Sequence, residues 1–143
     1  SGKYLVGKGD VIYSKIRPAL AKVCIVDFQC ICSADMYALT PHEHIDSTYL
    51  LFWLLSAPFT SLAILESMRV AMPKINRETL NETHLPIPPK HEQVAISKYV
   101  KKASLQFDKL KEKLVLQISQ LNEYRTALIS AAVTGKIDVR GQA

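Results

Sequence analysis

The 143-residue chain has 18 Lys and Arg against 13 Asp and Glu, a formal net charge of +5, and 48% apolar residues, which describes one globular domain plus an extension. Its longest apolar run, residues 49–59, is interrupted by Ser56 and Pro58 and falls short of the roughly 18 residues of a membrane span. Cys24, Cys30 and Cys32 form an odd set with no CxxC pair, which argues against a disulfide framework and fits a reducing, cytoplasmic compartment.

The opening Ser1-Gly2-Lys3-Tyr4 has no helix cap or signal-peptide pattern and runs straight into strand-like residues, as in a chain that starts within a domain. Residues 4–6 end at the turn cluster Gly7-Lys8-Gly9-Asp10, and Val11-Ile12-Tyr13 resumes with β-branched and aromatic side chains, giving strand, turn, strand. At Ser14-Lys15-Ile16-Arg17-Pro18 the pattern breaks, because Pro18 removes a ladder donor and biases Arg17 towards an extended backbone. A basic loop thus follows a buried strand. Residues 19–28 and 30–39 are strand-like and are expected to pair about residues 27–29, and residues 40–44 read as loop. Asp46, Ser47 or Thr48 caps a helix through residues 49–55 that is apolar nearly all round and should be buried. A second short helix is expected over residues 60–68 with Thr60 or Ser61 as cap, then an extended stretch over 70–75 and a single turn capped by Asn76.

In Leu85-Pro86-Ile87-Pro88-Pro89, three prolines in four positions make a stiff connector that cannot lie inside a helix. From there to Gly135 neither glycine nor proline occurs, and apolar residues keep a heptad step. Val100, Phe107, Leu114, Leu121 and Leu128 take the a positions; Ile96, Ala103, Leu110, Gln117, Tyr124 and Ala131 take the d positions. A helix of about forty residues is about 60 Å long, far more than a small domain needs to cover its own core. It should pack on another long helix, and a homodimer through this seam is expected. Gln117 and Tyr124 either fix register or mark where the seam opens to water. Leu105, Val115, Leu116 and Ile118 lie off the seam and suggest a second packing face, whereas Lys98, Lys101, Lys102 and Lys109 point away from it. The fold class expected is α+β, a small mixed domain followed by a long coiled-coil helix: residues 1–84, a linker at 85–90, the helix at 91–134 and a tail at 135–143. About ninety residues outside the helix is near the lower limit for an independent core, which reads as an incomplete domain.

Five stretches in this order, GDVIYSKIRP (9–18), SADMYALTP (33–41), IDSTYLLFWLLSAPF (45–59), MPKINRETL (72–80) and LPIPPKHEQVAI (85–96), resemble the DNA specificity subunit of type I restriction-modification systems. PIPPKHEQ followed by a long helix is the most specific of them. The resemblance covers nearly the whole chain. It implies target recognition domains that read parts of a bipartite sequence in double-stranded DNA, long helices that space them, and no catalytic centre. It also implies docking of methyltransferase subunits that methylate adenine and, through them, a motor and nuclease subunit. The chain departs from the full pattern in having one helix and the later part of one recognition domain, so a second copy would replace the missing helix.

Reading DNA needs base-edge donors and acceptors on a loop or strand, with cations near the phosphates. Lys15 and Arg17 on the basic loop, and Lys74, Asn76 and Arg77 around MPKINR, have that chemistry, with Lys8 and Lys22 as weaker phosphate contacts. Asn76 serves equally as a helix cap, and Arg17 as a solvated surface group. The charge surplus lies mostly in residues 91–143, with nine basic and five acidic groups against five and five in 1–46; a solvated helix face produces the same balance. His42 and His44 with Cys30 and Cys32 allow a metal site to be imagined, but the usual ligand spacing is missing, so no metal or cofactor is expected. Gly7-Lys8-Gly9-Asp10 lacks the third glycine and following helix of a phosphate cradle, and PIPP is not preceded by the Asn or Asp of an adenine methyltransferase motif. No enzyme is therefore read here. The remaining alternative is an assembly protein that dimerises through its helix and binds another protein.

Overall fold

A computed structural model describes residues 2–68 and 73–141. Residues 70–72, part of the stretch expected to be extended, lie outside the described residues. The chain divides into two compact units, residues 1–100 and 101–143. In the first, β1 (Lys3–Val6), β2 (Val11–Ser14), β3 (Val23–Ile25), β4 (Cys30–Ser33) and β5 (Met36–Leu39) are followed by α1 (Ser47–Leu55), α2 (Ala57–Ser67) and α3 (Arg77–Glu82). The long helix α4 (Lys90–Val133) begins in this unit and runs into the second. An α+β domain with a long C-terminal helix is what the pattern of elements predicts.

The strands form two antiparallel sheets, β1 with β4 and β3-β2-β5. In the turn between β1 and β2, Gly9 takes φ 92°, and the Asp10 carboxylate accepts from Gly7 N–H at 2.8 Å. The strands on either side of this turn do not pair with each other. Nor do β3 and β4 pair about residues 27–29, as the sequence suggests. Instead Val11 faces Ile25 and Leu5 faces Ile31. The reason is local: Gly9 N–H donates to Val26 O at 2.7 Å and Val26 N–H to Asp10 O at 2.9 Å. These bonds hold β3 to β2 up to Val26, so residues 27–29 carry the chain from one sheet to the other. Only Val23–Ile25 of residues 19–28 is strand, and Pro18–Leu20 is a 3-10 turn.

Alternation along β2 places Val11 and Tyr13 on one face, in a core with Leu54, Phe59, Ala63 and Ile75. Ile12 packs on the other side against Val6, Val26 and Cys32. The Tyr13 and Phe59 rings meet edge to face at 5.4 Å, a favourable arrangement of their quadrupoles. Burial raises the Tyr13 phenol pKa.

Asp46 caps α1 by accepting from Tyr49 N–H at 2.9 Å. Although α1 is apolar nearly all round, only Leu54 is fully buried and Leu55 is 43% exposed, because the small domain covers just one side of it. The second helix starts earlier than expected, at Ala57, since Pro58 lies in its first turn, where a missing N–H costs nothing. No single helix among the described residues is long and apolar enough to cross a membrane; α1 and α2 together reach that length but bend by 57°. Asn76 caps α3 through Thr79 N–H at 2.7 Å, a contact worth about 1 kcal/mol.

The first turn of α4 is fixed by Gln93, whose side chain is fully buried. Its Oε1 accepts from Asp46 N–H at 2.8 Å, and its Nε2 donates to His44 O at 2.9 Å and Pro88 O at 2.8 Å. Ser97 Oγ donates to the Asp46 carboxylate at 3.3 Å, and Lys90 Nζ to Glu43 O at 2.6 Å. The proline linker is held separately, by Tyr49 Oη donating to Pro86 O at 2.8 Å. With 44 residues, α4 is about 65 Å long. It ends at Gly135, φ 74°, where Lys136 N–H donates to Ala131 O at 2.8 Å and Gly135 N–H to Ala132 O at 3.2 Å. Glycine tolerates this left-handed termination, which satisfies carbonyls of the last turn.

Candidate nucleic-acid interface

Beyond Ser14 the chain leaves the sheet but does not become a free loop. Arg17 N–H donates to Pro73 O at 2.9 Å and Ile75 N–H to Lys15 O at 3.0 Å, with Ile16 and Lys74 forming an antiparallel bridge. Residues 15–17 and 73–75 are therefore a short two-stranded ribbon. Fully buried Ile75 anchors it in the core, and Tyr37 Oη donates to Ile75 O at 3.2 Å. Period-two alternation around Ile75 leaves Lys74 and Asn76 exposed.

Arg17 is left-handed, φ 52° and ψ 67°, rather than extended as its position before Pro18 predicts. Its N–H is bound to Pro73, and its carbonyl accepts from Leu20 N–H at 3.0 Å to start the 3-10 turn. Ala21 closes that turn at φ 43°. Two non-glycine residues in this region within five positions mark a backbone over-determined by its surroundings.

The five residues singled out in the sequence are brought onto this ribbon and the helix start beside it. Arg17, Lys74, Asn76 and Arg77 are exposed and Lys15 is half-buried. Lys15 Nζ lies 5.5 Å from the centre of the Tyr37 ring, a cation–π distance. Burial raises the Tyr37 phenol pKa, and the Arg77 charge partly offsets the rise. Tyr37 and Arg77 share a cleft of about 390 Å³ with Tyr4, Leu80 and Asn81. Asn76 Oδ1 is committed to capping α3, so paired donor and acceptor contacts to adenine would compete with the cap. Lys22 joins the group, since its carbonyl accepts from Ser14 N–H at 3.0 Å and it lines a second cleft with Arg17. Lys8, in the turn before β2, sits at the opposite end of that strand. Asp35 lines the second cleft as well, and nothing in the sequence pattern singles it out. A surface of exposed cations on a pinned backbone can hold phosphates without reorganising.

Of the seam residues, Ile96, Val100 and Ala103 are half-buried. Phe107, Leu110, Leu114, Leu121, Tyr124 and Leu128 are 46–70% exposed, and Gln117 is exposed. Leu105, Val115, Leu116 and Ile118 are also exposed. Within β4, Cys32 is buried in the cluster with Val6 and Val26, and half-buried Cys30 packs against it. His42, Glu43 and His44 are all exposed, with ligand atoms within 4.8 Å of one another and Glu43 Oε1 3.2 Å from His44 Nε2.

The family described as type I restriction modification DNA specificity domain matches residues 1–120. Over all 143 residues the chain is 34% identical to the Escherichia coli type I restriction enzyme EcoDI specificity subunit, covering 32% of that protein. A solved structure described as the structural basis underlying complex assembly and conformational transition of the type I R-M system has a similar fold. It gives a TM-score of 0.74 at 21% identity over 92% of this chain and 32% of that one. The HsdS subunit from Thermoanaerobacter tengcongensis gives 0.64 at 21% identity, over 93% and 31%. The chain thus spans about a third of the length of these relatives.

Proposed function

Because the chain belongs to the type I restriction-modification DNA specificity domain family, we propose that it is a non-catalytic DNA-recognition module acting in the cytoplasm. It reads one part of a bipartite target in duplex DNA and directs methyltransferase subunits, and through them a restriction subunit, to that site. The observation that carries this reading is the ribbon of residues 15–17 and 73–75, which presents Arg17 and Lys74 beside Arg77 on a backbone pinned to the core. Each phosphate neutralised by a cation releases counterions, so log K should fall against log salt with a slope of about −0.9 per contact. With Lys15, Arg17, Lys74 and Arg77 engaged, a slope of about −3 to −4 is expected for the chain on duplex DNA in an anisotropy titration. Affinity that does not change with salt, or capture of a protein partner without any DNA binding, would favour the assembly-protein reading instead.

The row of exposed apolar residues from Phe107 to Leu128 supports a second proposal about the same protein, that residues 91–134 are a spacer whose seam pairs two copies of this chain. Sedimentation equilibrium at high micromolar concentration should return a dimer mass, and a monomer mass there would remove the pairing.

A further inference from the structure

We infer that Asp35 is a base-reading residue, its carboxylate accepting a hydrogen bond from the N4 amino group of a cytosine presented to the cleft between Arg17 and Lys22. This deepens the DNA-recognition reading above and rests on it.

The cleft, about 580 Å³, is lined by Ser14, Ile16, Arg17, Lys22, Asp35 and Pro73 among others. Asp35 stands in the turn between β4 and β5, and both its backbone groups are fixed. Its N–H donates to Ser33 Oγ at 3.2 Å, and its carbonyl accepts from Lys15 N–H at 3.1 Å. The second bond ties it to the segment that carries Arg17. Its carboxylate is exposed and, among the described residues, has no hydrogen-bond or ion-pair partner, although two cations line the same cleft.

A surface built only to hold phosphates gains nothing from this group, because a carboxylate repels the backbone and weakens the local positive potential. An ionised carboxylate is purely an acceptor. In the major groove cytosine offers a lone donor, N4, whereas guanine offers acceptors and adenine pairs its donor with an acceptor. The base edge that suits an unpartnered carboxylate flanked by phosphate-seeking cations is therefore cytosine.

Repulsion from phosphate and attraction to the base act in opposite directions, which separates them in one experiment. Binding-site selection from a randomised duplex pool is run with the chain and with its Asp35→Ala and Asp35→Asn variants. The unsubstituted chain should enrich cytosine at one position, and Asp35→Ala should lose that discrimination, on the order of tenfold or more. Asp35→Ala should also bind a non-cognate duplex a few-fold more tightly, as a repelling charge has gone. Both bonds that fix Asp35 use its own backbone N–H and carbonyl and not its carboxylate, so thermal stability should not move. An Asp35→Ala variant that selects the same bases as the unsubstituted chain overturns the inference while leaving DNA recognition intact. Absence of DNA binding by the unsubstituted chain overturns both.

Discussion

Replacing Gln93 by leucine is expected to destabilise the unit of residues 1–100 by on the order of 3 kcal/mol or more, with Tm falling by about 10 °C or more. Leucine fills a similar volume but has no polar atoms. The substitution would strip Asp46 N–H, His44 O and Pro88 O of partners that now lie at 2.8–2.9 Å. Each backbone group left unsatisfied away from water costs about 1–3 kcal/mol. The three bonds join the loop before α1, the proline linker and the first turn of α4, so their loss releases three segments at once. Gln93→Glu should be no better, because a carboxylate facing the two carbonyls replaces donors with a repelling charge. Thermal unfolding followed by circular dichroism reads the effect. A Tm within about 2 °C of the unsubstituted protein would mean that the linker and helix are held by something other than this side chain.

The long helix was legible because its evidence is local and repeated: no glycine or proline from residue 90 to 134, a heptad step, and Gly135 to end it. The Asn76 cap was legible for the same reason, and the α1 cap was narrowed to Asp46, Ser47 or Thr48, since a short acceptor acts on N–H groups two or three residues away; the structure selects Asp46. The sheet partners were not. Whether β3 meets β4 or β2 is decided by bonds from Gly9 and Asp10 to Val26, across some sixteen residues that no spacing rule connects. The backbone of Arg17 departs from its sequence expectation for a related reason. Crowding by the Pro18 ring favours an extended residue before it, but the bonds from Arg17 N–H to Pro73 O and from Leu20 N–H to Arg17 O go with a left-handed backbone here.

In the candidate interface, residue chemistry marked the cations, and the ribbon pairing that brings residues 15–17 to 73–75 is what only the structure supplies. Gln93 carried a usable signal. It lies one heptad before Val100, on the side that packs against the domain in the first turns, next to prolines whose carbonyls need donors. Asp35 carried none, because a lone carboxylate in a turn is ordinary until the cations around it are seen.

On the proposed reading the ribbon, rather than the lysine-bearing face of α4, meets DNA. The deciding comparison reverses Arg17, Lys74 and Arg77 together to glutamate in one protein and Lys101, Lys102 and Lys109 in another. All three ribbon-side cations are exposed, and a carboxylate at position 77, in the first turn of α3, suits the helix dipole. The fold should therefore survive. Duplex affinity at about 0.15 M salt should fall by roughly a hundredfold or more for the ribbon variant, with the salt slope reduced by about 3. The helix variant should bind nearly as the unsubstituted chain does. A ribbon variant with unchanged affinity and slope, alongside a helix variant that has lost both, would place the DNA on α4 instead.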